Sequence, residues 1–127
     1  MARILVIDDD DEVRTTIVRI LTRAAYETFE AADGAQGMKL FHSHRPDLII
    51  TDIFMPKQEG LETIREIRTG SPDVRVLAIS GGGAGMGTEY LRLSGHLGAD
   101  ATLTKPFRAA ELLAAVDGLL ARSAEHS

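Results

Sequence analysis

Ile4-Leu5-Val6-Ile7-Asp8-Asp9-Asp10-Asp11-Glu12 decides how the rest of this sequence is read. Four apolar residues in a row, three of them β-branched, make a strand buried on both faces. Five consecutive acids follow at once, and like charges so close repel one another in a way that a cation would relieve. Val13, Ile17, Ile20, Leu21 and Ala24 then recur at helical spacing, with Asp10 or Asp11 placed to cap the first turn.

The same alternation continues along the chain. Leu48-Ile49-Ile50 and Val74 to Ile79 read as further buried strands, Ala101 to Thr104 as a weaker one, and Tyr26 to Ala31 as a less buried edge strand. Between them lie helical patterns. One starts at Asp33-Gly34 and uses Ala35, Met38, Leu40 and Phe41. The next is outlined by Leu61, Ile64, Ile67 and Arg68 and ended by Gly70-Ser71-Pro72. A fourth is marked by Leu91, Leu93 and Leu97. A fifth follows Pro106, with Leu112, Leu113, Val116, Leu119 and Leu120 on its apolar face. Five βα units in succession predict an α/β domain with a parallel sheet covered on both sides. We expect one domain over residues 1–122 and a short tail over 123–127, so that any output module lies on another polypeptide or outside this sequence.

Composition narrows the function classes. The 127 residues are 44% hydrophobic, enough for one real core, and carry a formal charge of -5, which disfavours a dedicated nucleic-acid binder. Without cysteine, disulfides and thiolate metal sites are excluded. No apolar run approaches a membrane span, and the N-terminal one is too short for a signal peptide, so a soluble, cytoplasmic protein with no membrane partner is expected. His42, His44, His96 and His126 have no spacing that suggests a metal site.

In parallel sheets of this kind, sites form outside the C-terminal ends of the strands. Asp8 and Asp9 end the first strand, Asp52 the third, Ser80 the fourth and Lys105 the fifth. A carboxylate there can act as a nucleophile toward phosphorus once a hard cation offsets the repulsion of phosphoryl oxygens. Asp8, Asp9, Asp52 and the Phe54 carbonyl would supply oxygen ligands. Lys105 and Ser80 would contact phosphoryl oxygens, and backbone N–H groups around Gly81 could add a donor. Each residue has a local structural use as well: Asp8 or Asp9 as a helix cap, Asp52 in its own turn, Lys105 on solvated surface. Their coincidence at one sheet edge favours the shared site. Arg14, one and a half turns beyond the acid pair, could contact it or form a local ion pair.

Over nearly its whole length the chain resembles the receiver domains of two-component response regulators. The resemblance rests on Asp8-Asp9 after the first strand, Asp52 in Thr51-Asp52-Ile53-Phe54-Met55-Pro56, Gly60, Ser80 and Lys105-Pro106-Phe107. It implies a doubly wound, flavodoxin-like (βα)5 three-layer sandwich with strand order 2-1-3-4-5. It also implies phosphorylation of Asp52 by a sensor histidine kinase or histidine phosphotransfer protein, dependence on Mg2+ (with Mn2+ able to substitute), and output to a downstream protein, with homodimerisation open. Relay of the phosphoryl group to another histidine is one alternative. A metal-dependent phosphohydrolase and a binding module that no longer uses phosphorylation are others, although the intact set of site residues argues against the last.

Three features depart from the family pattern. Thr102 stands where the family usually has an aromatic switch residue. Gly81 to Gly87 holds five glycines in seven residues, so the fourth helix is expected to begin near Thr88, with Tyr90 packing. That loop reads equally as a harmless insertion or as a partner surface, the latter shared with Pro106 and Phe107. Phe54, two residues after the acceptor, cannot orient an attacking water as an amide would, so self-dephosphorylation is expected to be slow. Phe54→Asn should therefore shorten the lifetime of the phosphorylated protein; a wild-type lifetime shorter than the variant's overturns the idea.

Overall fold

Side chains alternate across a strand, so β1 (Arg3–Ile7) sends Ile4 and Val6 to one face and Leu5 and Ile7 to the other, and all four are buried. The computed structural model describes residues 2–53, 59–70, 73–80 and 98–125, apart from the side chains of 59–61 and 122–125. After β1 come α1 (Asp11–Arg23), β2 (Glu27–Ala31), α2 (Gly34–His44), β3 (Leu48–Asp52), α3 (Glu59–Gly70), β4 (Arg75–Ser80), β5 (Ala101–Thr104) and a C-terminal helix (Ala109–Glu125). The five strands form one parallel sheet in the order β2-β1-β3-β4-β5. This is the doubly wound, flavodoxin-like arrangement expected. The fourth helix, together with Phe54, Gly81, Thr88 and Tyr90, lies outside the described residues.

Two apolar layers sandwich the sheet. On one face Leu5, Ile7, Ile49, Val76 and Ala78 pack with Met38 and Phe41 of α2 and Ile64 and Ile67 of α3. On the other, Ile4, Val6, Leu48, Ile50, Leu77 and Ile79 pack with Ile17 and Leu21 of α1 and Leu112, Val116 and Leu119 of the C-terminal helix. Two helical positions differ from the sequence expectation. Ala24 is the exposed C-cap of α1 rather than part of its apolar stripe. Ala35 is exposed, and Gly34 and Gly37 turn inward in its place. The reason lies at Gly37, where a Cβ would come within 2.5 Å of Ile7 Cδ1 and 2.9 Å of its Cγ1. The missing side chain lets α2 sit against β1.

An arginine clamp sets where β5 begins. From the last turn of α3, Arg68 donates to the carbonyl oxygens of Val74 (2.6 Å) and Gly98 (2.6 and 3.1 Å) and to the Asp100 carboxylate (2.7 Å). Asp100 also accepts from the Val76 N–H at 2.8 Å, and its own N–H donates to the Val76 carbonyl at 2.8 Å. Gly98 has φ 116°, a left-handed conformation suited to glycine. With its start tied to α3 and β4, β5 keeps a register in which Ser80 stands opposite Thr104.

Two helical glycines should respond in opposite directions to alanine. At Gly37 the overpacking cost of about 1–3 kcal/mol outweighs the gain in helix propensity of about 1 kcal/mol, so Gly37→Ala should destabilise. At exposed Gly118 a Cβ meets nothing within 4 Å, and Gly118→Ala should stabilise by roughly 0.5–1 kcal/mol. Chemical denaturation of both variants checks the signs.

Candidate functional site

The C-terminal ends of β1, β3, β4 and β5 meet along one edge, with Asp8, Asp52, Ser80 and Lys105 at or just beyond them. Asp8 follows β1 and is buried, with its N–H donating to the Ala31 carbonyl at the end of β2 at 3.1 Å. Its Oδ1 accepts the Asp10 N–H at 2.9 Å, closing a tight turn of the kind aspartates form locally. Asp10 in turn caps α1, accepting from the N–H groups of Glu12 (3.0 Å) and Val13 (3.3 Å). Since Asp10 satisfies those helix donors, Asp8 and Asp9 are left for the site.

Asp52, the last residue of β3, is also buried, 4% exposed. Its strand is secured just beyond it by the Ile53 N–H, which donates to the Ile79 carbonyl at 2.9 Å. One carboxylate oxygen from each of Asp8, Asp9 and Asp52 can be chosen so that all lie within 4.8 Å of one another. Lys105 closes the group. Its Nζ donates to Asp52 Oδ2 at 2.9 Å and to Asp8 Oδ2 at 3.2 Å, while its backbone N–H donates to the Ser80 carbonyl at 2.7 Å. Ser80 ends β4 and is fully buried. The Lys105-Pro106 peptide bond is cis.

Burial dominates the electrostatics. It pushes the Asp8 carboxyl up to about 6, helped by the neighbouring charge of Asp52 and opposed by the Asp10 N–H and the Lys105 ammonium. For Lys105, burial works to lower the pKa, but the hydrogen bonds and charges of Asp52 and Asp8 together outweigh it and raise the net value. Three carboxylates and one ammonium leave two uncompensated negative charges, matching a divalent cation. The donors are all carboxylate oxygens, a hard set that suits Mg2+ or Mn2+ rather than a metal that prefers nitrogen or sulfur. The residues present therefore fit such an ion.

Sequence reasoning left Arg14 between two roles, and the structure gives it both. Its Nη1 donates to the Asp8 carbonyl at 2.7 Å, and it pairs with Asp11 at 2.5 Å and Glu30 at 3.3 Å. Glu30 was not singled out, because nothing local in β2 points to α1. Pro106 and Phe107, expected at a partner surface, line an open groove of about 450 Å³ with Glu12, Val13, Thr16 and Lys105. Thr102 is exposed on β5. None of the histidines approaches the acid cluster among the described residues; His44 instead stacks on Phe29, with ring centroids 4.2 Å apart.

The fold and this edge define a doubly wound α/β protein with an acidic site locked by a lysine. The family model for the response regulator receiver domain matches residues 4–117, and the chain belongs to that family. It is 37% identical over 95% of its length to the response regulator MprA of Mycobacterium sp. strain KMS. There it covers 51% of the relative, so it spans about half the length of the curated relatives it matches. Among solved structures it is similar to a response regulator receiver domain protein from Clostridium thermocellum, with 29% identity, TM-score 0.91 and full coverage of both chains. It is also similar to NtrX from Brucella abortus, with 29% identity and TM-score 0.92 over 98% of this chain and 28% of that one. Among the described residues no helix is long and apolar enough to cross a membrane.

The raised pKa of Asp8 has a stability consequence in metal-free protein. The folded state holds this proton more tightly than the unfolded chain, whose value is near 3.8. The resulting stabilisation is fully present below about pH 4 and is lost as pH rises through about 6. Asp8→Asn removes the burial cost of the charge and should be more stable than wild type by roughly 1–3 kcal/mol above about pH 7. Urea unfolding across pH should show that difference vanishing below about pH 4.

Proposed function

We propose that the chain is a phosphorylation-controlled switch that accepts a phosphoryl group on Asp52 from a phosphohistidine. The donor would be a sensor histidine kinase or a histidine phosphotransfer protein. The observation that carries this reading is the Lys105 ammonium held between Asp52 and Asp8, with Asp9 beside them. In the transfer, an oxygen of the Asp52 carboxylate attacks phosphorus. The new O–P bond forms as the P–N bond breaks, and the histidine nitrogen keeps the electron pair.

Asp8, Asp9 and Asp52 would hold Mg2+ or Mn2+, with the Phe54 carbonyl as a further ligand. When bound, the ion supplies positive charge that offsets repulsion between the acceptor and the incoming oxygens. The chain's own groups do the rest. Burial at the ends of β1 and β3 fixes the direction of Asp8 and Asp52. Lys105 is within reach of both carboxylates and can follow a phosphoryl oxygen as a point charge. Ser80 would donate its hydroxyl to a second oxygen, and backbone N–H groups near Gly81 would donate to a third.

The groove beside Lys105 supports donor docking at this rim. Val13 and Phe107 give it apolar area next to the phosphoacceptor, which suits a donor helix that must bring its histidine to the site. Output would pass through protein contacts around Thr88, Tyr90, Thr102 and the C-terminal helix, in a cytoplasmic setting. Thr102 is too small to signal by burying a ring, which favours readout through the preceding segment.

Incubation with a small-molecule phosphodonor and Mg2+ should add one phosphoryl mass to wild type and none to Asp52→Ala, read by intact-mass spectrometry. Chelating the divalent ion should suppress the wild-type adduct. An unmodified, folded wild type under these conditions would sink the reading.

A further inference from the structure

The acids that would hold the ion sit on a turn, and turns need bracing if they are to keep ligands in place. Asp8 and Asp9 share one peptide unit, and the carbonyl of that unit is the Asp8 carbonyl. Arg14 Nη1 donates to it at 2.7 Å from α1, while the carboxylates that Arg14 pairs with are those of Asp11 and Glu30. The same guanidinium reaches Asp11 Oδ1 at 2.5 Å through Nη2 and Glu30 Oε1 at 3.3 Å through Nε. Glu30 adjoins Ala31, whose carbonyl receives the Asp8 N–H at 3.1 Å. The end of β2 therefore grips the turn twice, once through Ala31 directly and once through Glu30 and Arg14. The Arg14 side chain is 15% exposed, far more covered than its partner Asp11 at 83%.

We propose that Arg14 is a positioning residue for the divalent ion: it fixes the Asp8–Asp9 peptide, with Glu30 orienting the guanidinium from the neighbouring strand. The proposal rests on the metal reading of the acid cluster. Its sign separates it from simple electrostatics. A nearby cation acting through charge alone repels Mg2+, so its removal would tighten binding. A brace acts the other way, because loss of the hydrogen bond lets the shared peptide rotate and the two carboxylates drift apart.

Calorimetric titration of the whole chain with Mg2+ tests this for wild type, Arg14→Met, Arg14→Lys and Glu30→Gln, alongside thermal unfolding of each without metal. Arg14→Met should weaken Mg2+ binding about tenfold, the scale typical of groups that orient metal ligands. Arg14→Lys keeps the charge but loses the three-way fork, and it should also bind more weakly than wild type. Glu30→Gln should weaken binding by less. Equal or tighter binding by folded Arg14→Met overturns the brace, as does a lowered melting temperature with unchanged affinity. If Arg14→Met does not fold, Glu30→Gln decides, since Glu30 is 48% exposed on its side chain and tolerates the change; unaltered affinity there overturns the proposal. Failure of wild type to bind Mg2+ overturns the metal site itself, whereas wild-type binding with unaltered variants overturns only the brace.

Discussion

A lysine ammonium between two buried carboxylates is the interaction around which this domain is arranged. Asp8 and Asp52 are nearly inaccessible to water, and placing two such charges side by side is costly unless a cation compensates them. Lys105 does so at 2.9 and 3.2 Å. That contact requires β1, β3 and β5 to end at one level of the sheet. The parallel order provides it, and the Arg68 clamp at the far end of β5 keeps the register in which Ser80 and Lys105 share an edge. Compensation by one ammonium is incomplete, and the remaining charge makes the edge receptive to a divalent ion.

The five acids after β1 look like one feature in the chain, yet the fold gives each a different use. Asp8 is buried in the site. Asp9 stands exposed at its rim. Asp10 caps α1, Asp11 pairs with Arg14, and Glu12 borders the groove that ends at Phe107. Division of labour follows from geometry. A chain leaving a strand and entering a helix rotates successive side chains to different directions, so neighbours in sequence meet different surroundings.

Much of the fold was legible because parallel strands buried on both faces need unbroken apolar runs, and helices against them need apolar residues at helical spacing. β1, β3 and β4 stand where their runs predict. The errors were at packing details. Ala35 has the right chemistry for a core face but the wrong angle, while Gly37 was passed over because it lacks a side chain. Its value is the space it leaves for Ile7. The site was legible for the same topological reason: polar residues at the ends of buried strands stand out against apolar neighbours. Glu30 and the pairing of Arg68 with Asp100 did not stand out, since single charged residues are ordinary and their partners lie far away in the chain.

The sequence by itself determined the strand and helix order, the sheet edge on which chemistry could gather, and the identity of Asp8, Asp9, Asp52, Ser80 and Lys105 as its candidates. These follow from local periodicity and from a general rule of parallel sheets. Only the tertiary structure decided that Lys105 bridges Asp8 and Asp52, that burial lifts Asp8 to about 6, and that Arg14 grips the Asp8 carbonyl while Glu30 holds Arg14. Each depends on distances between residues from separate strands and helices, and on exclusion of water by two packed layers. No window of sequence contains either quantity.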